Sequence, residues 1–373
     1  MNEKMSENSS LFTGKILQKH IKFLQRHLSI LPASHQSADV NLMAVIFYSI
    51  ESLSALNEDV ETKYKDNLEW IRSNYVTQNV GDEELSGFIG GPIMNIPDTI
   101  TLSLPNTLFG LLTLILMKDT EFLNNMINKE KLGRFVAKCQ LKENGAFVSV
   151  LDYKSGSTSP VDSHDLRFSY IAVAILYILG CRTNDDFKKY IDVDSLVEYI
   201  LSQKCPFGGF GAFGEAHAGY TSCALSALKL LNKVDELSTT EKETTLQWLM
   251  DKQVSREGCW EKQDISNESY DADDHGGYQG RENKFADTCY VFWCLNSISI
   301  LNPNLQTVLD VPPIKEYLLT RTQNQLIGGF SKCYKEDADL YHTCLGIAAL
   351  RLMEDNFNGV LCLPAKTAKE FDL

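Results

Sequence analysis

Between Gly280 and Tyr290 the chain reads Gly-Arg-Glu-Asn-Lys-Phe-Ala-Asp-Thr-Cys-Tyr. Arg281 and Lys284 offer two positive charges for an anion, Asp287 and Cys289 offer an oxygen and a sulfur for a metal ion, and Tyr290 adds a phenol donor. Cationic donors beside metal ligands suit a protein that holds a phosphorylated substrate against a metal-activated nucleophile. Each half also has a plain structural reading: Asp287 as the cap of the helix that follows, and the charges as solvated loop residues. Side chains two apart on a continuous helix diverge by about 200°. Asp287 and Cys289 therefore converge only if Asp287 stands at the helix start.

A third ligand must come from elsewhere, and the chain has only 7 histidines. His342, in Asp339-Leu-Tyr-His-Thr-Cys344, begins an apolar stretch much as Cys289 begins its own. Asp, Cys and His make a three-ligand zinc site with one open position, which means catalysis or substrate capture. A thiolate in the set favours zinc over magnesium. Cys344 is the alternative third ligand. His217 follows the glycine-rich run Gly208-Gly-Phe-Gly-Ala-Phe-Gly214, which no strand precedes, so a dinucleotide loop is excluded. A histidine at a helix start would donate to a phosphate oxygen beside backbone N–H groups, or serve only the turn. Diphosphate needs several converging donors, and His217, Arg281, Lys284 and Tyr290 are candidates.

The elements that must position these groups repeat along the chain. Gln140, Gln203, Gln253 and Gln323 are each followed five residues later by glycine and seven later by an aromatic residue: Phe147, Phe210, Trp260 and Phe330. Ser86-Gly-Phe88 is a looser relative. Apolar stretches follow, Leu166–Leu179, Thr221–Leu231, Thr288–Ile300 and Tyr341–Met353, with three- and four-residue spacing and helical length. Glycine suits the tight turn and the ring anchors it. The pattern predicts an all-α fold of stacked helix pairs, and leaves open whether the array stays a solenoid or closes into a barrel. Asp152–Asp165 and Ser255–Gly280 read as loops, the second delivering the opening segment.

The formal charge of −14 argues against a nucleic-acid binder, which needs a basic face. No apolar run reaches the roughly 20 residues that cross a bilayer. The 10 cysteines form no CxxC pair, and Met1–Ser10 has no apolar signal core. Reduced thiols in a cytoplasmic protein are expected. Residues 1–15 read as a flexible tail and 16–373 as one domain.

On the Gln…Gly-aromatic repeats, Glu215-Ala-His217, Gly280-Arg281-x-x-Lys284, Asp287-x-Cys289-Tyr290-x-Phe-Trp293 and Tyr341-His342-Thr343, the chain resembles the β subunits of the protein prenyltransferases, and within them the type I geranylgeranyl class. The resemblance runs from Leu17 to Met353. It implies a closed α–α barrel, an α6/α6 toroid with an apolar funnel. It makes Asp287, Cys289 and His342 the ligands of one zinc ion. The substrate would be a protein with a C-terminal CaaX sequence, such as a small GTPase, whose cysteine sulfur attacks carbon 1 of geranylgeranyl diphosphate. His217, Ala218, Gly219, Arg281, Lys284 and Tyr290 would hold the diphosphate, with Arg167, Tyr220 and Trp293 along the lipid and a lysine from an α subunit, the partner in a heterodimer, completing the clamp. Ala44, Tyr48 and Leu345 would set the lipid length. Lys332 stands where the farnesyl class has a magnesium-binding aspartate, so magnesium would not be required. Tyr341 and Ser103-Leu-Pro105 depart from the type I pattern. Tyr341 points to a farnesyltransferase β subunit as the alternative enzyme. A non-catalytic helical-repeat scaffold is the alternative of a different kind.

Overall fold

The computed structural model describes residues 12, 14–31, 38–159, 163–254 and 272–373. Six helix pairs run in order, leaving aside the single turns between them. α1 (Gly14–Ser29) leads to α2 (Leu42–Ala55), α3 (Leu68–Ser73) to α4 (Leu104–Leu116), and α5 (Lys129–Lys138) to α6 (Leu166–Ile178). α7 (Val193–Ser202) leads to α8 (Ala218–Leu230), α9 (Thr239–Met250) to α10 (Thr288–Leu301), and α11 (Val311–Glu316) to α12 (Leu340–Met353). Even-numbered helices are apolar nearly all round, as an inner layer must be: in α4 every residue from Leu111 to Leu116 is buried. Odd-numbered ones bury one stripe, such as Val193, Leu196, Val197 and Ile200 in α7.

α2 packs on α4, α4 on α6, α6 on α8, α8 on α10, α10 on α12, and α12 back on α2. Of the two forms open to a helix-pair array, this is the closed barrel. The odd helices lie outside, α1 against α2, α5 against α6 and α9 against α10.

The repeated turn locks each pair to the next. Gly208 has φ +100°, and a Cβ there would lie 2.5 Å from the Thr244 carbonyl oxygen in α9; a Cβ on Gly328 would lie 2.5 Å from the Lys19 carbonyl carbon in α1. Only glycine allows that approach. The glutamine ties the turn to the next outer helix. Gln140 donates to the Asp192 carbonyl and accepts from the Asp192 N–H at the N-cap of α7, and Gln253 donates to the Asp310 carbonyl at the N-cap of α11. The backbone N–H groups of Phe210 and Phe330 donate to the hydroxyls of Thr221 and Thr343 on the inner helices. Phe88 does the same to Thr107, which makes Ser86-Gly-Phe88 a genuine copy.

One copy is corrected. The turn after Gln253 is closed by Gly276-Gly-Tyr278 rather than Gly258-Cys-Trp260. Val254 N–H donates to Gly277 O and Gly276 N–H to Val254 O, the bonds that Asn324 makes with Gly329 and Gly328. A long insertion separates glutamine from glycine, so the short-range spacing picked the wrong pair. That insertion, residues 255–271, lies outside the described residues, as does most of the expected tail. Phe12 is nevertheless buried against His20 and Phe330, and α1 begins at Gly14, earlier than expected.

The last turn grips the first helix. His20 in α1 accepts the Gly329 N–H at Nδ1 (2.9 Å) and meets the Gln323 carboxamide at 3.0 Å. Burial lowers its pKa to about 4. Among the described residues the one sizeable β element is the hairpin of β1 (Tyr75–Val80) and β2 (Glu83–Phe88), which the all-α pattern does not include.

Candidate active site

Asp287 is the N-cap of α10, with extended backbone (φ −144°, ψ 136°), and its Oδ1 accepts the Cys289 N–H at 2.8 Å. Standing before the helix, its carboxylate turns to the same side as the Cys289 thiol. His342 lies in the first turn of the adjacent α12, its Nε2 3.3 Å from Asp287 Oδ1. One donor atom of each residue falls within 4.8 Å of the others. Asp339, the N-cap of α12, accepts the His342 backbone N–H at 2.9 Å and holds Nδ1 at 2.6 Å, leaving Nε2 as the nitrogen that could hold a metal ion. Cys344 is excluded as third ligand, because it points away and donates to Glu51 at 3.0 Å.

Oxygen, sulfur and nitrogen donors converging in a buried pocket fit zinc. Burial, with Asp287 beside it, pushes the Cys289 thiol well above its usual range. Burial would lower His342, but Asp287 and Asp339 outweigh it and hold the imidazole at about 9. A divalent cation among these donors would reverse both preferences, favouring thiolate and neutral imidazole.

Beside the trio lies the anion cluster. His217 is the N-cap of α8; its Nδ1 accepts the Gly219 N–H at 3.1 Å, so Nε2 carries the proton and meets the Tyr290 hydroxyl at 3.1 Å. Burial and the charge of Arg281 keep its pKa below the usual value. Gly280 admits the Tyr290 ring, which a Cβ would meet at 2.2 Å. Glu282 anchors this loop by accepting from Trp248 at 2.7 Å and Lys252 at 2.5 Å. Arg281 is paired with Glu215 at 2.6 Å. Lys284 and Lys332 are exposed, and the Lys332 carbonyl accepts the Thr288 N–H at 2.8 Å, which brings that residue next to Asp287. Ala218 does not join the donors: it is fully buried and its N–H goes to the Gly280 carbonyl at 2.8 Å. The Gly219 N–H is likewise taken by His217, so the backbone donors expected at this helix start serve the protein itself.

Between the two clusters opens a cavity of about 630 Å³ that runs down the barrel. Cys289, His217, Gly219, Tyr290 and Arg167, all from the starts of inner helices, line it together with Phe109, Tyr170, Trp293 and Tyr341. Arg167 is paired with Asp165 at 2.6 Å and lies 5.9 Å from the centre of the Tyr220 ring. Tyr48 and Leu345 are among the residues lining the cavity; Ala44, one turn earlier on α2, is not. No glycine-aromatic turn precedes α2, so no local signal sets the rotation of that helix.

Three contributors escaped sequence reasoning. Asp339 closes the acidic run Glu336-Asp-Ala-Asp339 in sequence, and its place three residues before His342 is a capping position. Glu215 was noted only as part of a motif. The segment Gly359–Cys362, which also lines the cavity, carries no chemical signature. Among the described residues no helix is long and apolar enough to cross a membrane, and nine cysteines are free thiols.

Residues 16–371 match the prenyltransferase alpha-alpha toroid domain. The chain is 29% identical over 364 residues to the geranylgeranyl transferase type-1 subunit beta of Dictyostelium discoideum, covering 89% of each chain. It is 28% identical over 369 residues to the Arabidopsis thaliana protein of the same name, covering 92% of this chain and 86% of that one. Among solved structures it is similar to Candida albicans protein geranylgeranyltransferase-I complexed with GGPP. There the TM-score is 0.82 at 30% identity, over 96% of this chain and 99% of the other.

Proposed function

The chain belongs to the prenyltransferase family, whose toroid domain it carries from residue 16 to 371, and on that premise we propose that it is the catalytic β subunit of a type I protein geranylgeranyltransferase. The observation that carries this reading is the convergence of Asp287, Cys289 and His342 with the His217–Tyr290 pair at the mouth of one deep apolar cavity. The isoprenyl chain of geranylgeranyl diphosphate lies in the cavity, and the diphosphate lies at the rim near His217, Arg281, Lys284 and Tyr290.

Asp287, Cys289 and His342 would hold one zinc ion, which when bound would lower the pKa of a substrate thiol and keep a thiolate available at neutral pH. The cysteine sulfur of a CaaX protein bonds to carbon 1 of the isoprenyl group as the carbon–oxygen bond breaks and diphosphate leaves. His217 Nε2–H and the Tyr290 hydroxyl face the oxygen on which negative charge accumulates, and Arg281 and Lys284 add positive charge. Lys332, close to Asp287, supplies charge that magnesium provides in the farnesyl class. Strongly exposed Phe213 and Phe285 flank the anion cluster, an apolar rim suited to a partner chain; the partner is a prenyltransferase α subunit. Free thiols suit the reducing cytoplasm.

The test is co-expression with an α subunit, followed by lipid transfer to CaaX peptides from farnesyl and geranylgeranyl diphosphates, with and without magnesium. Geranylgeranyl transfer without magnesium is expected. Exclusive farnesyl use would instead support the farnesyltransferase reading, which Tyr341 on the cavity wall favours. Protein with neither transfer nor stoichiometric zinc would be a scaffold.

A further inference from the structure

We propose that Glu215 is a counterion built into the anion site, holding Arg281 until a diphosphate arrives and then competing with it for that arginine; for the nature of the ligand this rests on the prenyl-transfer reading. The residue stands on a short hairpin, Gly211–Ala212 paired with Glu215–Ala216, whose tip turns through Phe213 (φ +55°) and Gly214 (φ +80°). The hairpin is closed tightly, since a Cβ on Gly211 would lie 1.7 Å from the Glu215 carbonyl oxygen. His217 N–H donates back to the Phe210 carbonyl at 2.9 Å, and His217 itself is extended (φ −140°, ψ 127°). Side chains two apart on an extended chain share a face. The Glu215 carboxylate therefore points to the side on which His217 meets Tyr290.

Arg281 reaches the same place from the loop before α10, its Nη1 donating to Glu215 Oε2 at 2.6 Å. A pair that fastens the fold looks different: Arg72 grips Asp119 through Nε at 2.7 Å and Nη2 at 2.8 Å, and the Asp119 side chain is only 3% exposed. The Arg281 pair uses one N–H, and its two side chains are 38% and 56% exposed. The loop has another anchor, because Glu282 already ties it to Trp248 and Lys252. Burial lowers the His217 pKa, Arg281 lowers it further and Glu215 opposes them, so both charges lie within electrostatic reach of the imidazole. A diphosphate that meets His217 Nε2–H, the Tyr290 hydroxyl and Arg281 together thus finds a carboxylate among its donors. It must take Arg281 from Glu215, and once bound it is repelled by the charge left behind. Free diphosphate has one more ionisable oxygen than its isoprenyl ester, so the repulsion falls harder on the product than on the substrate.

The test compares wild type, Glu215→Gln, Arg281→Ala and the double variant, each co-expressed with the α subunit, in magnesium-free buffer. Binding of inorganic diphosphate and of geranylgeranyl diphosphate is measured directly, and transfer to CaaX peptides separately. Glu215→Gln keeps the shape and removes the charge. It should bind inorganic diphosphate roughly fivefold more tightly, the scale of one exposed ion pair, and geranylgeranyl diphosphate more tightly by a smaller factor. Inorganic diphosphate should also inhibit its transfer more strongly. Both gains should shrink in the Arg281→Ala background; gains of the same size without the arginine overturn the competition for it. Should Glu215→Gln fail to fold, Glu215→Ala carries the test. Equal or weaker binding of inorganic diphosphate by a folded variant with full zinc content overturns the assignment and leaves Glu215 a brace for the loop. Wild-type protein that binds both diphosphates but transfers nothing overturns the prenyl-transfer reading, while a gain with Glu215→Gln upholds the counterion. Wild-type protein that binds neither overturns both.

Discussion

Asp339 bonds to His342 twice, one carboxylate oxygen capping the backbone N–H at 2.9 Å and the other holding Nδ1 at 2.6 Å. One side chain thus starts the helix and aims the ligand it carries. Asp339→Asn keeps an N-cap but loses the charged acceptor. Zinc affinity should fall roughly 10- to 100-fold with helix content unchanged, as read by competition against a chromophoric chelator. Unaltered affinity would remove Asp339 from the site.

Lys332 is exposed beside the metal trio. Wild-type turnover should be flat across a magnesium titration, and Lys332→Asp should make it rise with magnesium. A variant indifferent to magnesium would mean the lysine does not stand in for the ion.

Arg281 and Tyr290 are assigned to the leaving group. Arg281→Ala should lower kcat/KM for the isoprenyl diphosphate by about a hundredfold, the usual scale for one charged or oxyanion donor. Tyr290→Phe should cost less, because His217 Nε2–H remains. Single-turnover rates that Arg281→Ala leaves intact would place Arg281 in the Glu215 pair alone.

His20 carries a pH signature for ring closure. Its pKa is about 4 in the fold against 6.5 for a free histidine, so the fold uses the neutral ring, whose Nδ1 must accept the Gly329 N–H. Between those values the unfolded chain binds the extra proton. The contribution, at most about 3 kcal/mol, is complete above pH 6.5 and fades as pH falls toward 4. Urea midpoints of wild type and His20→Gln at pH 7.5 and 5 should converge on acidification; a constant gap would show that the folded ring takes up its proton as readily as the unfolded one.

Much of this was legible beforehand because the constraints were local. A turn that brings Gly208 against the Thr244 carbonyl accepts no other residue, so glycine and its aromatic neighbour mark the turn in sequence. Asp287 and Cys289 were legible for the same reason, once a capping position makes neighbours converge. Ala44 failed because helix rotation in α2 depends on packing, not on a local signal. Gly258-Cys-Trp260 failed because an insertion kept the glutamine and moved its glycines. The β1–β2 hairpin gives no alternating signal, because β1 is buried only at Val80 and β2 is buried without a break from Leu85 to Phe88.

The grip of the Gln323 turn on His20 has a consequence for how the molecule is made. A growing chain presents Asp287 and Cys289 well before His342 exists, and the segment Gly359–Cys362, which also lines the cavity, emerges later still. Until α12 meets α2, the inner helices form an open arc with two unpaired apolar flanks. Biogenesis should therefore protect that arc, as a chaperone would, and metal loading should wait until His342 has joined Asp287 and Cys289.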